Sequence, residues 1–480
     1  MSFFAKSIAG LCMACMFTTA AAAAPIPIRG VVEGFYGTPW TKAQRVDIIK
    51  FCEKVGLNAY MYAPKDDPYH REKWREAYPP EKLNELSKLV KTAKKNNVKF
   101  IFAISPGLDA RYSLLRGSMD QAAMANKLEA MYDIGIRDFA VFFDDIKEHD
   151  GEGQSDLVNW LNENFVKKHD DVSPLIVVPT EYYFADMKDG SGYAKPYTRD
   201  FSKRIAQGVL PLFTGDGVVC DGITEETLED AERLYGRKLG IWWNYPVTDY
   251  LEQKLALGPV EKLPKGGDIP AIFFNPMKYE ELSKIALATG AEYALDPENY
   301  DPQAAWERAI KSQFGKLTEE MTLFSDQSQH FENNWAFVGP QDGSKLRKKM
   351  DELWLSLGDA KASDVIFADV NKELAELADA VDVLKKRLPR RKLVECKPQL
   401  KQLERLTKAD RQALELLKCY RHGDMDKAKT LKGELQEKLL KIEKEEKKAV
   451  ISEKTCKAFI REVLDYVDSG KLPVDRRGSP

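Results

Sequence analysis

The sequence of 480 residues lacks the features that mark several large classes of protein. Its formal net charge is only −3, with 72 basic and 75 acidic residues, so no bulk charge favours nucleic acid or an anionic membrane surface. After the N-terminal segment, no stretch is apolar enough to predict a membrane span. A partner must therefore be recognised at a specific site.

Cysteine is also scarce. Of the seven cysteines, Cys12 and Cys15 lie in an apolar N-terminal segment, and the other five are widely scattered without CxxC spacing among them. This pattern favours single buried thiols over a disulfide framework or a zinc knuckle. No second histidine or cysteine joins Lys65-Asp66-Asp67 and His70, so we favour loop acids there over a metal site. We expect neither a metal nor another cofactor.

The first 24 residues have the pattern of an export signal. Lys6 is the only charged side chain before an apolar core from Ile8 to Phe17, and small residues from Thr18 to Ala24 follow. The apolar core is too short to span a bilayer as a stable helix. The pattern predicts a signal peptide over residues 1–24 and export of the protein to the periplasm or out of the cell.

Short apolar runs of β-type recur through the first part of the chain. The eight runs are Ile28 to Glu33, Ala59 to Tyr62, Phe100 to Ser105, Phe139 to Phe143, Leu175 to Val178, Val209 to Phe213, Gly240 to Trp243 and Ala271 to Phe274. Helical segments such as Thr41 to Val55 separate them. Strands that alternate with helices predict an α/β fold with a parallel sheet closed as a (β/α)8 TIM-type barrel. A doubly wound open sheet is the alternative, but GVVEGFYG after the first strand is not its glycine-rich fingerprint.

The character of the sequence changes after about Asn299. Strand-like runs disappear, and Lys, Glu and Leu dominate. Leu374, Leu377, Val381, Leu384 and Leu388 have the spacing of a helix with one apolar stripe. We therefore predict a barrel over residues 25–298, a C-terminal α-helical bundle over 299–470 and a disordered tail over 471–480.

Polar residues follow the predicted strands. In a (β/α)8 barrel the carboxyl ends of the strands meet at one rim, where active sites lie. The rim would carry Glu33, Lys65, Ser105, Asp144, Asp145, Thr180, Glu181, Thr214, Asn244 and Asn275, with the aromatic residues Tyr36, Tyr182, Trp242, Trp243 and Tyr245. Carboxylates, amides and rings suit a sugar, whose hydroxyls need donors and acceptors and whose C–H faces stack on rings. One of the two tryptophans should lie in the core, because neighbours on a strand point opposite ways.

The fourth strand, FAVFF, ends in two adjacent acids, Asp144 and Asp145. Where a strand breaks into a loop, both side chains can reach one substrate. Two close carboxylates raise the pKa of at least one, and a carboxyl that stays protonated can act as a general acid at a glycosidic oxygen. The alternative is that one acid caps the following helix while the other is solvated. The spacing leaves both interpretations open.

Six motifs, in order along the chain, carry a family resemblance. They are GVVEGFYGTPWT (Gly30 to Thr41), YAPKDDPYHREKWRE (Tyr62 to Glu76), FFDDI (Phe142 to Ile146), VPTEY (Val178 to Tyr182), WWNYPVTDY (Trp242 to Tyr250) and NPM (Asn275 to Met277). They resemble the bacterial O-GlcNAcase-like β-N-acetylglucosaminidases of glycoside hydrolase family eighty-four, some of which are called hyaluronidases. The resemblance covers the whole predicted barrel and continues less distinctly into the helical region.

The resemblance implies a retaining, substrate-assisted exo-β-N-acetylglucosaminidase that acts on glycans or glycoproteins. The acetamido oxygen of the substrate would attack the anomeric carbon and form an oxazoline. Asp144 would orient the acetamido N–H, while Asp145 would protonate the leaving oxygen and later activate water. An endo-acting glycosaminoglycan hydrolase and a non-catalytic glycan-binding barrel are the alternatives.

The resemblance also implies the contacts to the substrate. Gly34, Lys65, Asp249 and Asn275 would bind sugar hydroxyls, Asn244 would face the sugar or its acetamido group, Tyr182, Thr214 and Trp242 would line the acetamido pocket, and Val218 would flank the leaving group.

Overall fold

The first part of the computed structural model is a closed barrel of eight parallel strands. The strands pair in sequence order, and the eighth pairs with the first. They are β1 (Ile28–Glu33), β2 (Ala59–Tyr62), β3 (Lys99–Ile104), β4 (Asp138–Phe142), β5 (Ile176–Val178), β6 (Leu210–Phe213), β7 (Gly240–Trp243) and β8 (Ala271–Phe274). The predicted (β/α)8 barrel is confirmed.

The structure describes residues 24–112, 114–266 and 268–473. The predicted signal peptide, apart from its last residue, lies outside the described residues, and so do residues 474–480 of the predicted tail. Among the described residues, no helix combines the length and the hydrophobicity that a membrane crossing requires.

Helices surround the barrel. They are α1 (Lys42–Val55), α2 (Pro80–Lys95), α3 (Leu114–Asp133), α4 (Gly151–Asn164), α5 (Phe184–Met187), α6 (Pro196–Arg204), α7 (Glu225–Tyr235) and α8 (Glu280–Leu295). Residues at its two ends set the limits of α1. Thr41 and Gln44 form a capping box at its start, and Gly56 ends the helix with a φ of 85°.

The expectation of a helix after every strand is not met after β7. Residues 244–266 and 268–270 connect β7 to β8 without a described helix. Pro246, Pro259, Pro264 and Pro270 interrupt this segment, and each lacks the backbone N–H that a helix interior needs. The first part of this long loop, residues 244–250, lies at the end of the barrel where the strands have their carboxyl ends.

Side chains on each strand alternate between the barrel interior and the layer between sheet and helices. Phe142 and Trp242 belong to the interior cluster, whereas Val141 and Trp243 pack in the outer layer. The prediction that one of the two neighbouring tryptophans is a core residue is confirmed, and the core residue against the helices is Trp243.

The chain beyond the barrel is mainly helical, as predicted. Its helices are α9 (Pro302–Phe314), α10 (Thr318–Asp326), α11 (Ser344–Ser356), α12 (Ala360–Arg387), α13 (Arg390–Arg421), α14 (Met425–Glu445) and α15 (Ala458–Ser469). The apolar stripe from Leu374 to Leu388 is buried. A short antiparallel hairpin of β9 (Phe331–Glu332) and β10 (Phe337–Val338) was not predicted. The borders at residues 298 and 470 stay predictions.

The helical region holds the long β7–β8 loop in place. The backbone N–H of Val450 and the side chain of Gln399 both donate to the carbonyl of Gln253, at 3.0 Å and 2.9 Å. Lys254 forms an ion pair with Glu453 at 3.2 Å. The loop is therefore supported from the part of the chain that follows the barrel.

The five described cysteines are free thiols, of which four are buried and Cys220 is half-buried. The prediction of single buried thiols is confirmed for four of these residues, whereas Cys220 is a single thiol that is only half-buried.

Candidate active site

A cavity of about 440 Å³ opens at the carboxyl ends of the barrel strands. Its lining residues are Gly34, Tyr36, Lys65, Asp144, Asp145, Val178, Tyr182, Thr214, Val218, Val219, Trp242, Asn244, Val247, Asp249, Tyr250, Asn275 and Trp335. Every residue to which the family resemblance assigns a catalytic or substrate-binding role is among them, whereas the rim residues Glu33, Ser105, Thr180, Glu181, Trp243 and Tyr245 are not. The structure thus brings these residues together, while their roles stay predictions.

Asp144 and Asp145 both face the cavity because the backbone turns between them. Asp145 has a φ of 56°, in the left-handed region that aspartate tolerates better than most residues. The alternative of a helix cap is wrong for both acids, since α4 begins at Gly151 and is capped by Asp150, whose carboxylate accepts from the N–H of Gly153.

Asp144 forms a buried ion pair with Lys65. Its Oδ1 accepts no hydrogen bond from the described residues, although it is buried. A buried carboxylate oxygen without a partner is costly, and a ligand N–H in the cavity could satisfy it. Asp144 thus lies beside a cation and keeps one acceptor atom without a partner among the described residues.

Asp145 has different partners. Its carboxylate accepts hydrogen bonds from the hydroxyls of Tyr36 at 2.6 Å and Tyr182 at 2.9 Å. Burial raises the pKa of Asp145, but the Lys65 ammonium, the two hydroxyls and the Arg71 guanidinium outweigh burial and hold that pKa below its ordinary value. The expectation that the neighbouring acid leaves one of the pair with a raised pKa is thus wrong for Asp145, because two cations lie close to it.

The two phenols that bind Asp145 stay protonated. Burial, reinforced by the charge of Asp145, raises the pKa of both Tyr36 and Tyr182. Each hydroxyl therefore donates to the carboxylate, and together they fix the plane of the Asp145 carboxyl group.

Amide side chains form a connected wall of the cavity. Asn244 Oδ1 accepts from Trp242 Nε1 at 2.8 Å and from Asn275 Nδ2 at 3.0 Å, and the N–H of Gly34 donates to Asn275 Oδ1 at 3.3 Å. Asn244 also donates to the carbonyl of Val218 at 2.8 Å, so it binds loop backbone while it lines the cavity. This network fixes the orientation of both amides.

Asp249 and Thr214 also line the cavity. Asp249, from the long β7–β8 loop, accepts from the N–H of Tyr36 at 2.8 Å. Burial raises the pKa of Asp249 despite that bond and one from the N–H of Tyr250. Thr214 Oγ1 donates to the carbonyl of Gly217 at 2.7 Å. The pKa of Asp249 is thus raised, whereas that of Asp145 is lowered.

Several acids at strand ends do not reach the cavity. Glu33 is buried in the outer layer, where it forms an ion pair with Arg45 at 2.8 Å. Glu181 accepts from Thr198 Oγ1 at 2.5 Å and lies 3.1 Å from His149. Alternation along β1 directs Glu33 away from the barrel interior, whereas Glu181 lies beyond the end of β5 and is held by Thr198 of α6.

The Lys65-Asp66-Asp67 segment also contributes one residue to the cavity and one to the structural framework. Lys65 enters the cavity, whereas Asp67 accepts hydrogen bonds from the hydroxyls of Tyr62 and Tyr78 at 2.6 Å and 2.8 Å. His70 Nδ1 lies 2.7 Å from the carbonyl of Ala103. Asp67 is thus a buried acceptor for two phenols, and the interpretation of loop acids over a metal site stays a prediction.

Tyr36, Arg71 and Trp335 are among the residues at the site that were not assigned a role from the sequence. Tyr36 was named only as an aromatic residue of the rim, and Arg71 behind it was not singled out. Trp335, in the turn between β9 and β10, lines the cavity with its ring centroid 5.0 Å from that of Tyr250. Reading the strand ends could not find Trp335, because it follows the last barrel strand by about 60 residues.

Comparison with known proteins identifies relatives of both parts of the chain. A family model described as beta-N-acetylglucosaminidase matches residues 29–326, and one described as hyaluronidase post-catalytic domain-like matches residues 345–460. The protein O-GlcNAcases of Rattus norvegicus and Mus musculus are each 31% identical over 275 residues, which cover 55% of this chain and 29% of theirs. The chain thus spans less than a third of the length of these curated relatives.

Solved structures extend the likeness to most of the chain. CpGH84B is 34% identical with a TM-score of 0.87, over 91% of this chain and 77% of that one. An O-GlcNAc hydrolase mutant of Thermobaculum terrenum is 25% identical with a TM-score of 0.80, over 92% of this chain and 94% of that one. Because the first family model matches well over half of its residues, the chain belongs to the β-N-acetylglucosaminidases of glycoside hydrolase family eighty-four.

Proposed function

We propose that the protein is a retaining, substrate-assisted exo-β-N-acetylglucosaminidase that removes terminal β-linked N-acetylglucosamine from glycans or glycoproteins. The observation that carries the proposal is the pair of acids at one cavity with unlike partners. Asp144 is paired with a cation and keeps one free acceptor, whereas Asp145 is held by two phenols. One acid is thereby suited to hold charge, and the other to exchange a proton.

In the first step, Asp144 accepts a hydrogen bond from the acetamido N–H of the substrate. The acetamido oxygen attacks the anomeric carbon, the bond from that carbon to the leaving oxygen breaks, and Asp145 gives its proton to the leaving oxygen. The negative charge of Asp144 stabilises the positive charge that develops on the oxazoline ring. No third carboxylate is required, because the nucleophile belongs to the substrate.

In the second step, Asp145 takes a proton from water, which attacks the anomeric carbon and reopens the oxazoline. Each of the two displacements inverts the anomeric carbon, so the released sugar retains the β configuration of the substrate. Asp145 must be protonated before each turnover, although Lys65 and Arg71 favour its charged form. A sugar that fills the cavity excludes water and adds to the burial that raises the pKa of Asp145, so substrate binding itself favours protonation.

The proposed contacts follow the cavity walls. Tyr182, Thr214 and Trp242 surround the acetamido group, while Asp249, Asn275 and the backbone of Gly34 bind hydroxyls. This division is supported by chemistry, since a methyl group fits beside an indole ring and hydroxyls need the amide and carboxylate oxygens.

The test compares Asp145→Asn with the wild type on aryl N-acetylglucosaminides of different leaving groups. We expect turnover of substrates with poor leaving groups to fall by at least about a hundredfold and that of strongly activated substrates to fall far less, because an activated leaving oxygen needs little protonation. Equal losses on both kinds of substrate would contradict the role of Asp145 as the acid.

Asp144→Asn and a change of sugar test the substrate-assisted step. We expect Asp144→Asn to lose activity on all substrates, without recovery by added azide, since the attacking group is on the substrate. An azide product of inverted configuration would instead indicate a nucleophile on the enzyme. Comparable hydrolysis of aryl glucosides, which lack the acetamido group, would also contradict the mechanism.

An endo-acting glycosaminoglycan hydrolase is the second candidate, because the model that matches residues 345–460 is described as hyaluronidase post-catalytic domain-like. The two activities differ in their products. An exo-acting enzyme releases one sugar at a time from defined oligosaccharides, whereas internal cleavage gives intermediate lengths from the start. A time course of product lengths therefore separates them.

A further inference from the structure

Arg71 lies behind the proposed acid–base residue without lining the cavity. Its Nη1 donates to the hydroxyl of Tyr36 at 3.0 Å, and that hydroxyl donates onward to Asp145 Oδ2 at 2.6 Å. Its Nη2 donates a long hydrogen bond, 3.5 Å, to the backbone carbonyl of Asp145. The guanidinium thus reaches the backbone of Asp145 directly and its carboxylate through one phenol.

We propose that Arg71 is a positioning residue that holds Asp145 in the orientation needed for proton transfer. This inference rests on the proposed function, in which Asp145 is the acid and base. It assigns to the YAPKDDPYHREKWRE segment a role beyond Lys65, which enters the cavity itself.

The first argument is the conformation of the backbone. With a φ of 56°, Asp145 occupies a region that most residues with a side chain avoid. This turn lets both neighbouring acids face the cavity. Such a conformation persists when its surroundings hold it, and the bond from Arg71 to the carbonyl of the same residue is one such restraint.

The second argument is the stacking of Tyr36. The Arg71 guanidinium carbon lies 5.5 Å from the centroid of the Tyr36 ring, while its Nη1 binds the hydroxyl of that ring. Tyr36 is 40% exposed at the mouth of the cavity, so packing alone restrains it weakly. The cation therefore fixes a phenol that would otherwise be free to leave Asp145.

The third argument is charge. The titratable and charged groups around Asp145 are Lys65, Arg71, Tyr36, Tyr182, Asp144 and Asp249. Lys65 is already paired with Asp144. Arg71 forms no ion pair with a carboxylate in the described part of the chain, and its buried Nε has no hydrogen-bond partner there. Its charge is thus available to Asp145, whose ionised form it favours.

Arg75 provides a matched control in the same segment. It forms ion pairs with Asp109 at 2.6 Å and Asp120 at 2.7 Å and stacks on Trp74 at 4.1 Å. These contacts are structural and do not include Asp145. Loss of Arg75 therefore reports damage to the segment without loss of the contacts to the acid.

The experiment measures kcat/KM against pH on a substrate with a poor leaving group, for the wild type, Arg71→Met and Arg75→Met. We expect Arg71→Met to lower the maximum of the pH profile, its plateau, about tenfold, because the catalytic group is misplaced. We also expect it to move the alkaline limb, where kcat/KM falls as Asp145 loses its proton, to higher pH. The limb moves upward because the cation that favours ionised Asp145 is lost. Arg75→Met should keep the limb of the wild type even if it melts at a lower temperature.

A double-mutant cycle with Asp145→Asn provides the second readout. In the Asp145→Asn background, Arg71→Met should lower the remaining activity by less than about threefold, because the group that it positions is already absent. The same loss in both backgrounds, or an alkaline limb that stays in place, would overturn the proposal.

Arg71→Lys is tested in place of Arg71→Met if the latter does not fold. Lysine keeps the charge but not the two-pronged contact, so the limb should stay near that of the wild type while the plateau falls. A wild-type plateau in Arg71→Lys would overturn the positioning role. If the wild type does not hydrolyse N-acetylglucosaminides, or Asp145→Asn is unimpaired on poor leaving groups, the proposed function fails instead.

Discussion

Gly34 shows at the scale of one residue how a missing side chain shapes the cavity. A Cβ at this position would lie 2.5 Å from Cζ2 and 2.7 Å from Cη2 of Trp242, closer than real contacts allow. The indole is fixed by its bond to Asn244, so it cannot shift without loss of that contact. Gly34 is thus required for the close approach of strand end and ring.

We predict that Gly34→Ala lowers kcat/KM at least about tenfold while the protein stays folded, because the displaced Trp242 changes the wall around the proposed acetamido pocket. Steady-state kinetics with circular dichroism measures both effects. Gly190→Ala is the control, since a Cβ there meets no atom within 4 Å. Wild-type kinetics in Gly34→Ala would show that the wall tolerates the shift.

The β9–β10 hairpin is the element that joins the region after the barrel to the cavity. Asn333 Oδ1 accepts from the N–H of Trp335 at 2.9 Å and of Ala336 at 2.7 Å, which fixes the turn. Trp335 is 48% exposed and packs on Tyr250 of the long β7–β8 loop. An exposed indole at the mouth of the proposed sugar site offers a stacking surface to the aglycone, the group attached to the sugar.

We predict that Trp335→Ala raises KM several-fold for substrates with an aromatic aglycone, consistent with a lost stacking contact of about 1 kcal/mol. Substrates with a small aglycone should be nearly unaffected. The comparison is Phe337→Ala, on the same hairpin, because Phe337 is also 48% exposed but does not line the cavity. Equal effects of both variants, or none for either aglycone, would contradict a role for the Trp335 ring.

At the scale of the whole molecule, charged residues connect the barrel to the helical region. The Glu395 carboxylate from α13 accepts from the backbone N–H of Glu281 and Leu282, at 3.2 Å and 3.0 Å, in the first turn of α8. Helix α8 begins five residues after Asn275 of the cavity. The helical region therefore contacts α8 at a point only a few residues along the chain from a proposed substrate-binding residue.

An ion network lies beside this contact. Asp47, Glu280 and Glu281 are close enough to suggest a cation site, but the Lys284 ammonium lies 2.5 Å, 2.6 Å and 3.4 Å from their oxygens. The lysine is already their counter-ion. These carboxylates therefore form a structural network with α13, which adds Arg391 at 2.9 Å from Glu281.

We predict that the stability of the protein falls as pH rises from about 5 to about 9, in part through Glu395. Burial, followed by the charges of Glu280 and Glu281, raises the pKa of Glu395 from 4.5 to about 8 despite the two backbone N–H groups. The folded state then holds a proton that the unfolded state releases, so the group opposes folding increasingly as pH passes from 4.5 to about 8.

Glu395→Gln should remove this dependence, because the amide oxygen still accepts from α8 and does not titrate. We expect the variant to gain at least about 1 kcal/mol over the wild type at pH 9 and little at pH 5, as measured by denaturant unfolding. Glu437→Gln, an exposed position on α14, is the control. A gain that is equal at both pH values would contradict the assignment of the proton to Glu395.

Export is a further proposal for the whole molecule that rests on residues 1–24 alone. Mass determination of the protein purified from the cell envelope or medium would locate the cleavage site. An uncleaved protein in the cytoplasm would contradict it.

The amino-acid sequence by itself determined the parts of the protein that depend on neighbouring residues. Apolar runs and helix periods are local, so the eight strands and the helices after the barrel could be predicted, and Asp144 and Asp145 could be placed at the end of β4. The six motifs also pointed to the family. All of these depend on residue order within short windows.

The tertiary structure alone decided which strand-end residues reach the cavity and how they behave there. Glu33 and Glu181 face the helices, whereas Lys65 enters the site, because orientation changes where a strand breaks into a loop. The lowered pKa of Asp145 depends on Lys65 and Arg71, more than 70 residues away along the chain. The contribution of Trp335 requires a hairpin folded back over the barrel. Electrostatic and packing effects depend on distance in space, which local sequence patterns do not encode.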